Sequence, residues 1–122
     1  MEERAYSKSG YDAATEILKV PPQSIEAEQA VLGGLMLDGQ SWDKIADRLS
    51  PDDFYRREHR LIFEAIGTLC QDARPVDAIT VSEVLERQGE LANAGGLGFL
   101  ATLANNTPGS ANITAYASIV RE

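Results

Sequence analysis

The sequence predicts an all-α domain, a compact orthogonal bundle of five to six short helices. Three observations carry this. Apolar residues recur at 3.6-residue spacing in several separate windows. Those windows open on capping residues and close on glycine or proline. No stretch alternates apolar and polar residues as a half-buried strand does. There is no repeat of fixed period. A chain of 122 residues suits one domain, and its 43% hydrophobic residues can supply one core.

The elements follow in order. Residues 1–21 read as a flexible leader, in which Ile17, Leu18 and Val20 could form a short anchor before Pro21-Pro22 interrupts any helix. Ser24 is placed to cap a first helix, Ile25–Leu37, with Glu26 and Glu28 in its first turn. Its second half, Ala30–Leu37, is apolar all round, which predicts burial on every side. Gly33 and Gly34 within it predict the close approach of another helix, since two mid-helix glycines otherwise cost about 1 kcal/mol each. Asp38-Gly39 ends this helix, and Ser41 is expected to cap a second. There Trp42, Ile45, Ala46 and Leu49 share one face. Ser50-Pro51-Asp52-Asp53 reads as a capped helical turn leading to Phe54 and Tyr55.

A third helix is expected over Glu58–Gln71, with Leu61, Ile62, Ala65, Ile66, Leu69 and Cys70 as its apolar stripe. Asp72–Ile79 reads as a loop. Thr80-Val81-Ser82-Glu83 forms a capping box for a fourth helix ending at Gly89, its core face Val81, Val84 and Leu85. Leu91–Gly98 is a turn-rich joint. A fifth helix, Leu97–Asn105, buries Phe99, Leu100 and Leu103, and Asn105–Gly109 breaks it. From Asn112 to Glu122, Ile113, Tyr116, Ala117 and Val120 fall at helical spacing. No turn signal follows Val120, so the segment reads as the start of a longer element. Those four residues are the candidate self-association stripe.

Composition narrows the function. With 19 acidic against 11 basic residues, the net charge is −8. Nucleic-acid binding rests largely on phosphate neutralisation, so such a domain is a poor independent binder of DNA or RNA and a better partner for basic protein surfaces. The longest apolar run, Ala30–Leu37, is far short of the ~20 residues a membrane helix takes, and Met1–Tyr11 holds no signal-like apolar stretch. The chain reads as cytosolic.

Chemistry-bearing motifs are missing. A phosphate-binding loop needs Gly-Lys-Ser/Thr, and none of Lys8, Lys19 and Lys44 follows a glycine. Gly95-Gly96-Leu97-Gly98 lacks both a preceding strand and a nearby cation, and reads as a helix joint. The lone cysteine, Cys70, reads as a small buried hydrophobe. On one helix it would stand about 16 Å from the lone histidine, His59, which excludes a Cys/His pair. His59 itself reads as a surface or half-buried residue. The carboxylates Glu26, Glu28, Asp52, Asp53, Glu83 and Glu86 read as caps and first-turn residues, not as facing acid–base pairs. Arg56-Arg57-Glu58-His59-Arg60, the one basic cluster, reads as a solvated helix start with local ion pairs to Glu58 and Glu64, although it could contact an acidic partner. Trp42 reads as core more than as a partner anchor. No catalytic, cofactor-binding or metal-binding residue is assigned.

From Pro21 onward the chain resembles the N-terminal domain of DnaB replicative helicases. The resemblance lies in PPQSIEAEQAVLGGLMLD (21–38), DDFYRREHRLIF (52–63), ITVSEVLERQG (79–89), GGLGFL (95–100) and NTPGSANI (106–113), several ordered motifs at family spacing. It implies residues 22–122 are the helical collar domain of a hexameric ring, cut before the rest of a helical hairpin, a linker and a RecA-like ATPase domain. It also implies subunit pairing, docking of the C-terminal domain of DnaG primase, contact with DNA only through the full ring, and no membrane. ATP and magnesium are implied for the full-length helicase and no cofactor for this stretch. The alternative is a free-standing helical adaptor for other proteins. A small DNA-binding domain is opposed by the charge, and an enzyme by the absent constellation.

Overall fold

The computed structural model describes residues 22–122. The expected leader, 1–21, with Ile17, Leu18 and Val20, lies outside the described residues. Among those described, six α-helices form and no strand does. They are α1 (Pro22–Leu37), α2 (Trp42–Ile45), α3 (Arg57–Gln71), α4 (Ala78–Arg87), α5 (Gly96–Asn106) and α6 (Ile113–Arg121), with 3-10 turns at Gly39–Ser41 and Pro51–Asp53. No helix of this stretch is long and apolar enough to cross a membrane.

Helix α1 is the hub, packed against α3, α5 and α6, and this is why its second half is apolar all round. Val31, Leu32 and Leu35 are fully buried, while Ile62, Ala65, Ile66 and Leu69 of α3 meet them in one continuous core. Phe63 lies at the centre of an aromatic group, its ring 5.0 Å from Trp42 and 4.9 Å from Phe54. Trp42 also covers Gly67, whose added Cβ would sit 3.1 Å from the indole. Trp42 is therefore part of the packing, as its spacing predicts.

Helix starts differ most from expectation. Helix α1 begins at Pro22, not Ile25, because proline's fixed φ and missing N–H suit a first helical position. Ser24 thus falls inside the helix, and Glu26 and Glu28 lie beyond its first turn. Ser41 makes no side-chain cap. Asp38 caps instead, accepting from the Gln40 N–H at 3.2 Å. Helix α4 starts before the Thr80 box. Asp77 accepts from the Thr80 N–H at 2.8 Å and the Thr80 hydroxyl accepts from the Asp77 N–H at 2.9 Å, so Thr80 closes the box and does not open it. An acidic side chain wins the cap because it accepts more strongly at the positive helix end.

The end of α3 holds one strained residue. Ala73 has φ +57°, while the Arg74 N–H reaches back to the Leu69 carbonyl at 2.9 Å. This is a left-handed helix terminator of the kind that usually carries glycine. Ala73→Gly is expected to stabilise the domain by about 1 kcal/mol, the left-handed penalty of a Cβ. A melting temperature that does not rise would contradict this.

Candidate docking groove

A groove follows from one small residue. Gly33 stands where α1 meets the end of α5. A Cβ there would lie 2.4 Å from the Leu103 carbonyl oxygen and 2.9 Å from the Thr107 Cβ. Only a bare α-carbon admits this approach. The Thr107 hydroxyl adds a bond to the Ala30 carbonyl at 3.4 Å. On the far side, Ile113, Ala117 and Val120 seat α6 against the core, and Arg121 ties its end down by donating to the Arg48 carbonyl at 3.1 Å.

Over Glu26–Ala30 the three helices leave a groove of about 470 Å³. Ala27 and Ala30 form part of its floor. Phe99 and Leu103 come from α5, Tyr116 and Ile119 from α6, and Pro108 from the loop between them. Glu26, Gln29, Thr102 and Asn106 supply its polar lining. Phe99 is half-buried, short of the full burial its spacing predicts, and Ile119 is exposed. Among the described residues the lining thus has an apolar floor and a polar rim without a cation. An amphipathic helix with a basic edge matches that chemistry.

The candidate self-association stripe divides. Ile113, Ala117 and Val120 are buried in the domain's own core, and of the four only Tyr116 lines the groove. The residue that joins Tyr116 there is Ile119, between the predicted positions.

Behind Phe99 lies a buried hydrogen-bonded pair that local reading missed. His59 is fully buried and Glu28 nearly so, which corrects the expectation of a surface or half-buried histidine and of a first-turn carboxylate. His59 Nδ1 stands 2.6 Å from Glu28 Oε1. One hydrogen bond joins the two side chains. Glu28 Oε2 accepts the Tyr55 N–H at 2.7 Å. The Phe99 ring lies parallel to the imidazole, with centroids 6.2 Å apart. The pair thus holds α1, α3 and the segment before α3 together and backs one wall of the groove. Enclosed on all sides, it reads as an internal strut.

Two other titratable groups are shifted by their surroundings. Burial, with a smaller contribution from Asp43, pushes the Cys70 thiol up, away from the reactive thiolate. Burial raises Glu58, but its own backbone N–H and Arg56 outweigh that and hold it below the usual value. Among the described residues, no three His, Cys, Asp or Glu side chains converge as a metal site would require.

The comparisons with known proteins decide the family. The profile of the DnaB-like helicase N terminal domain matches residues 20–122. The chain belongs to the DnaB-like helicase N-terminal domain family. The replicative DNA helicase DnaB of Haemophilus influenzae is 50% identical over 111 residues, 91% of this chain and 24% of the relative. The replicative DNA helicase DnaC of Bacillus subtilis is 43% identical over 104 residues, 85% of this chain and 23% of the relative. The chain therefore spans about a quarter of the length of such relatives. The crystal structure of the N-terminal domain of DnaB helicase from Mycobacterium tuberculosis is similar at 43% identity with a TM-score of 0.79, covering 84% of this chain and 71% of that one. The DnaB-like domain thus has the all-α fold its helical periodicity predicts.

Proposed function

We propose that this domain is the non-catalytic collar unit of a replicative helicase, pairing with other subunits and docking the C-terminal domain of DnaG primase. The observation that carries the docking role is the groove: an apolar floor with Phe99 and Ile119 accessible and a cation-free rim that includes Glu26. A helix of the primase domain, apolar on one face and basic at its edge, would fill it. Ring assembly and ATP-driven unwinding, with magnesium, would belong to the longer protein. This chain has no lysine behind a glycine and so no phosphate-binding loop of the Gly-Lys-Ser/Thr kind, and no chemical step is assigned to it.

Calorimetric titration of the domain with the purified C-terminal domain of its cognate primase tests the reading. Ile119→Glu places a charge in the groove at an exposed position and is expected to weaken binding about tenfold or more, while leaving the fold intact. Undiminished affinity in this variant would refute the groove as the docking place. No binding by the unaltered domain would favour the adaptor alternative.

A further inference from the structure

Outside the groove, the one basic cluster of this acidic chain gains a definite geometry. Tyr55 is 60% exposed between the 3-10 turn Pro51–Asp53 and α3. The Arg56 and Arg57 side chains beside it are 47% and 64% exposed. A short connection of this kind would ordinarily be loose, but its backbone is fixed from several sides. The Tyr55 N–H donates to buried Glu28 Oε2 at 2.7 Å. Arg60 Nη1 donates to the carbonyls of both Phe54 and Tyr55, each at 2.9 Å. The Phe54 N–H donates to the Pro51 carbonyl at 3.1 Å. Three of these four bonds involve a charged group, the stronger class. Arg60 therefore serves the backbone, not the Glu64 pairing that its sequence neighbours suggest.

These bonds thus fix the backbone from which Tyr55, Arg56 and Arg57 project, and a preorganised backbone lowers the ordering penalty of binding. Tyrosine and arginine are among the residues most enriched as interface anchors. Arg57 is the freer of the two arginines. It stands 3.8 Å from Glu90, and an exposed pair of this kind contributes little, whereas Arg56 donates from Nε at 3.0 Å and from Nη2 to Glu58 Oε2.

We propose that Tyr55, Arg56 and Arg57 form a second docking patch, which takes an acidic segment of a protein partner. Carboxylates match the guanidinium forks, and an apolar side chain of the segment would lie on the Tyr55 ring. A nucleic acid would have to bring a long run of phosphates against a domain of net charge −8, with Asp52 and Asp53 in the adjoining turn. A short peptide can place its carboxylates on the arginines alone. None of these residues lines the groove, and the patch does not depend on the primase reading.

Fluorescence anisotropy of the full chain tests the patch with three labelled probes. They are a glutamate-rich peptide carrying two leucines, its glutamine counterpart and a single-stranded oligonucleotide. The glutamate peptide is expected to bind most tightly and to weaken as salt rises. Arg57→Glu and Tyr55→Ala should each reduce its affinity about tenfold at an unchanged melting temperature. Equal binding of the glutamine peptide, or no effect of either variant, would overturn the proposal. Tighter oligonucleotide binding that depends on Tyr55 and Arg57 would give the patch to nucleic acid and overturn it too. Loss of peptide binding as protein concentration rises would assign the patch to a second copy of the chain, which also overturns the proposal.

Discussion

Gly33→Ala is expected to destabilise the domain by about 3 kcal/mol, the upper end of ordinary overpacking. The new methyl would meet the Leu103 carbonyl at 2.4 Å, and that oxygen belongs to helix backbone and cannot rotate away. Relief requires α5 to slide off α1, which would also disturb the Thr107–Ala30 bond and the groove floor. In a domain of this size the loss corresponds to a fall of about 10–20 °C in melting temperature. Gly98→Ala is the matched control, since nothing lies within 4 Å of its added Cβ and it sits inside α5. It should gain up to about 1 kcal/mol from helix propensity. Thermal unfolding of the two variants should therefore shift in opposite directions. Equal shifts would show that the α1–α5 contact does not depend on a bare α-carbon. Gly34 is the looser neighbour, with its added Cβ 3.4 Å from the Gly109 carbonyl, so alanine there should be tolerated better than at Gly33.

Glu28→Leu is expected to destabilise by about 2–5 kcal/mol, since two buried polar groups lose their partner at about 1–3 kcal/mol each. It strands His59 Nδ1 and the Tyr55 N–H in the interior together. Replacing His59 by leucine as well should restore part of the loss, because no imidazole is then left buried without its partner. The Tyr55 N–H still lacks an acceptor, so about 1–3 kcal/mol should remain. A double-mutant cycle by denaturant unfolding measures the coupling. Additive effects of the two substitutions would mean that the pair does not act as a strut.

The helices were legible in the sequence, because Val81, Val84 and Leu85 or Ile62, Ala65, Ile66 and Leu69 announce their buried faces by spacing alone. The close approach at Gly33 was legible too, since a glycine in an apolar helix needs a neighbour to justify it. Caps were misplaced where two candidates stood close together. Asp77 and Thr80 are both good caps, and only the turn geometry before α4 decides between them. The strut was missed although its signal was present. Glu28 shares a helix face with Val31, Leu32 and Leu35, and His59 shares one with Ile62, Phe63 and Ile66. A polar side chain in phase with the core is a buried one, and two that can share a hydrogen bond from separate helices suggest a pair. Local capping logic drew Glu28 to the helix start instead. The groove was not legible at all. It depends on how far α5 and α6 diverge along α1, a distance that no local pattern encodes.

The functional proposal rests above all on the groove between α1, α5 and α6 as the place that receives the C-terminal domain of primase. Amide chemical shifts of the isotope-labelled domain, followed as unlabelled primase C-terminal domain is added, test it most directly. Changes are expected to concentrate at Ala30, Phe99, Thr102, Tyr116 and Ile119, with the surface of α4 silent. Changes centred on α4, or none at saturating partner, would contradict it.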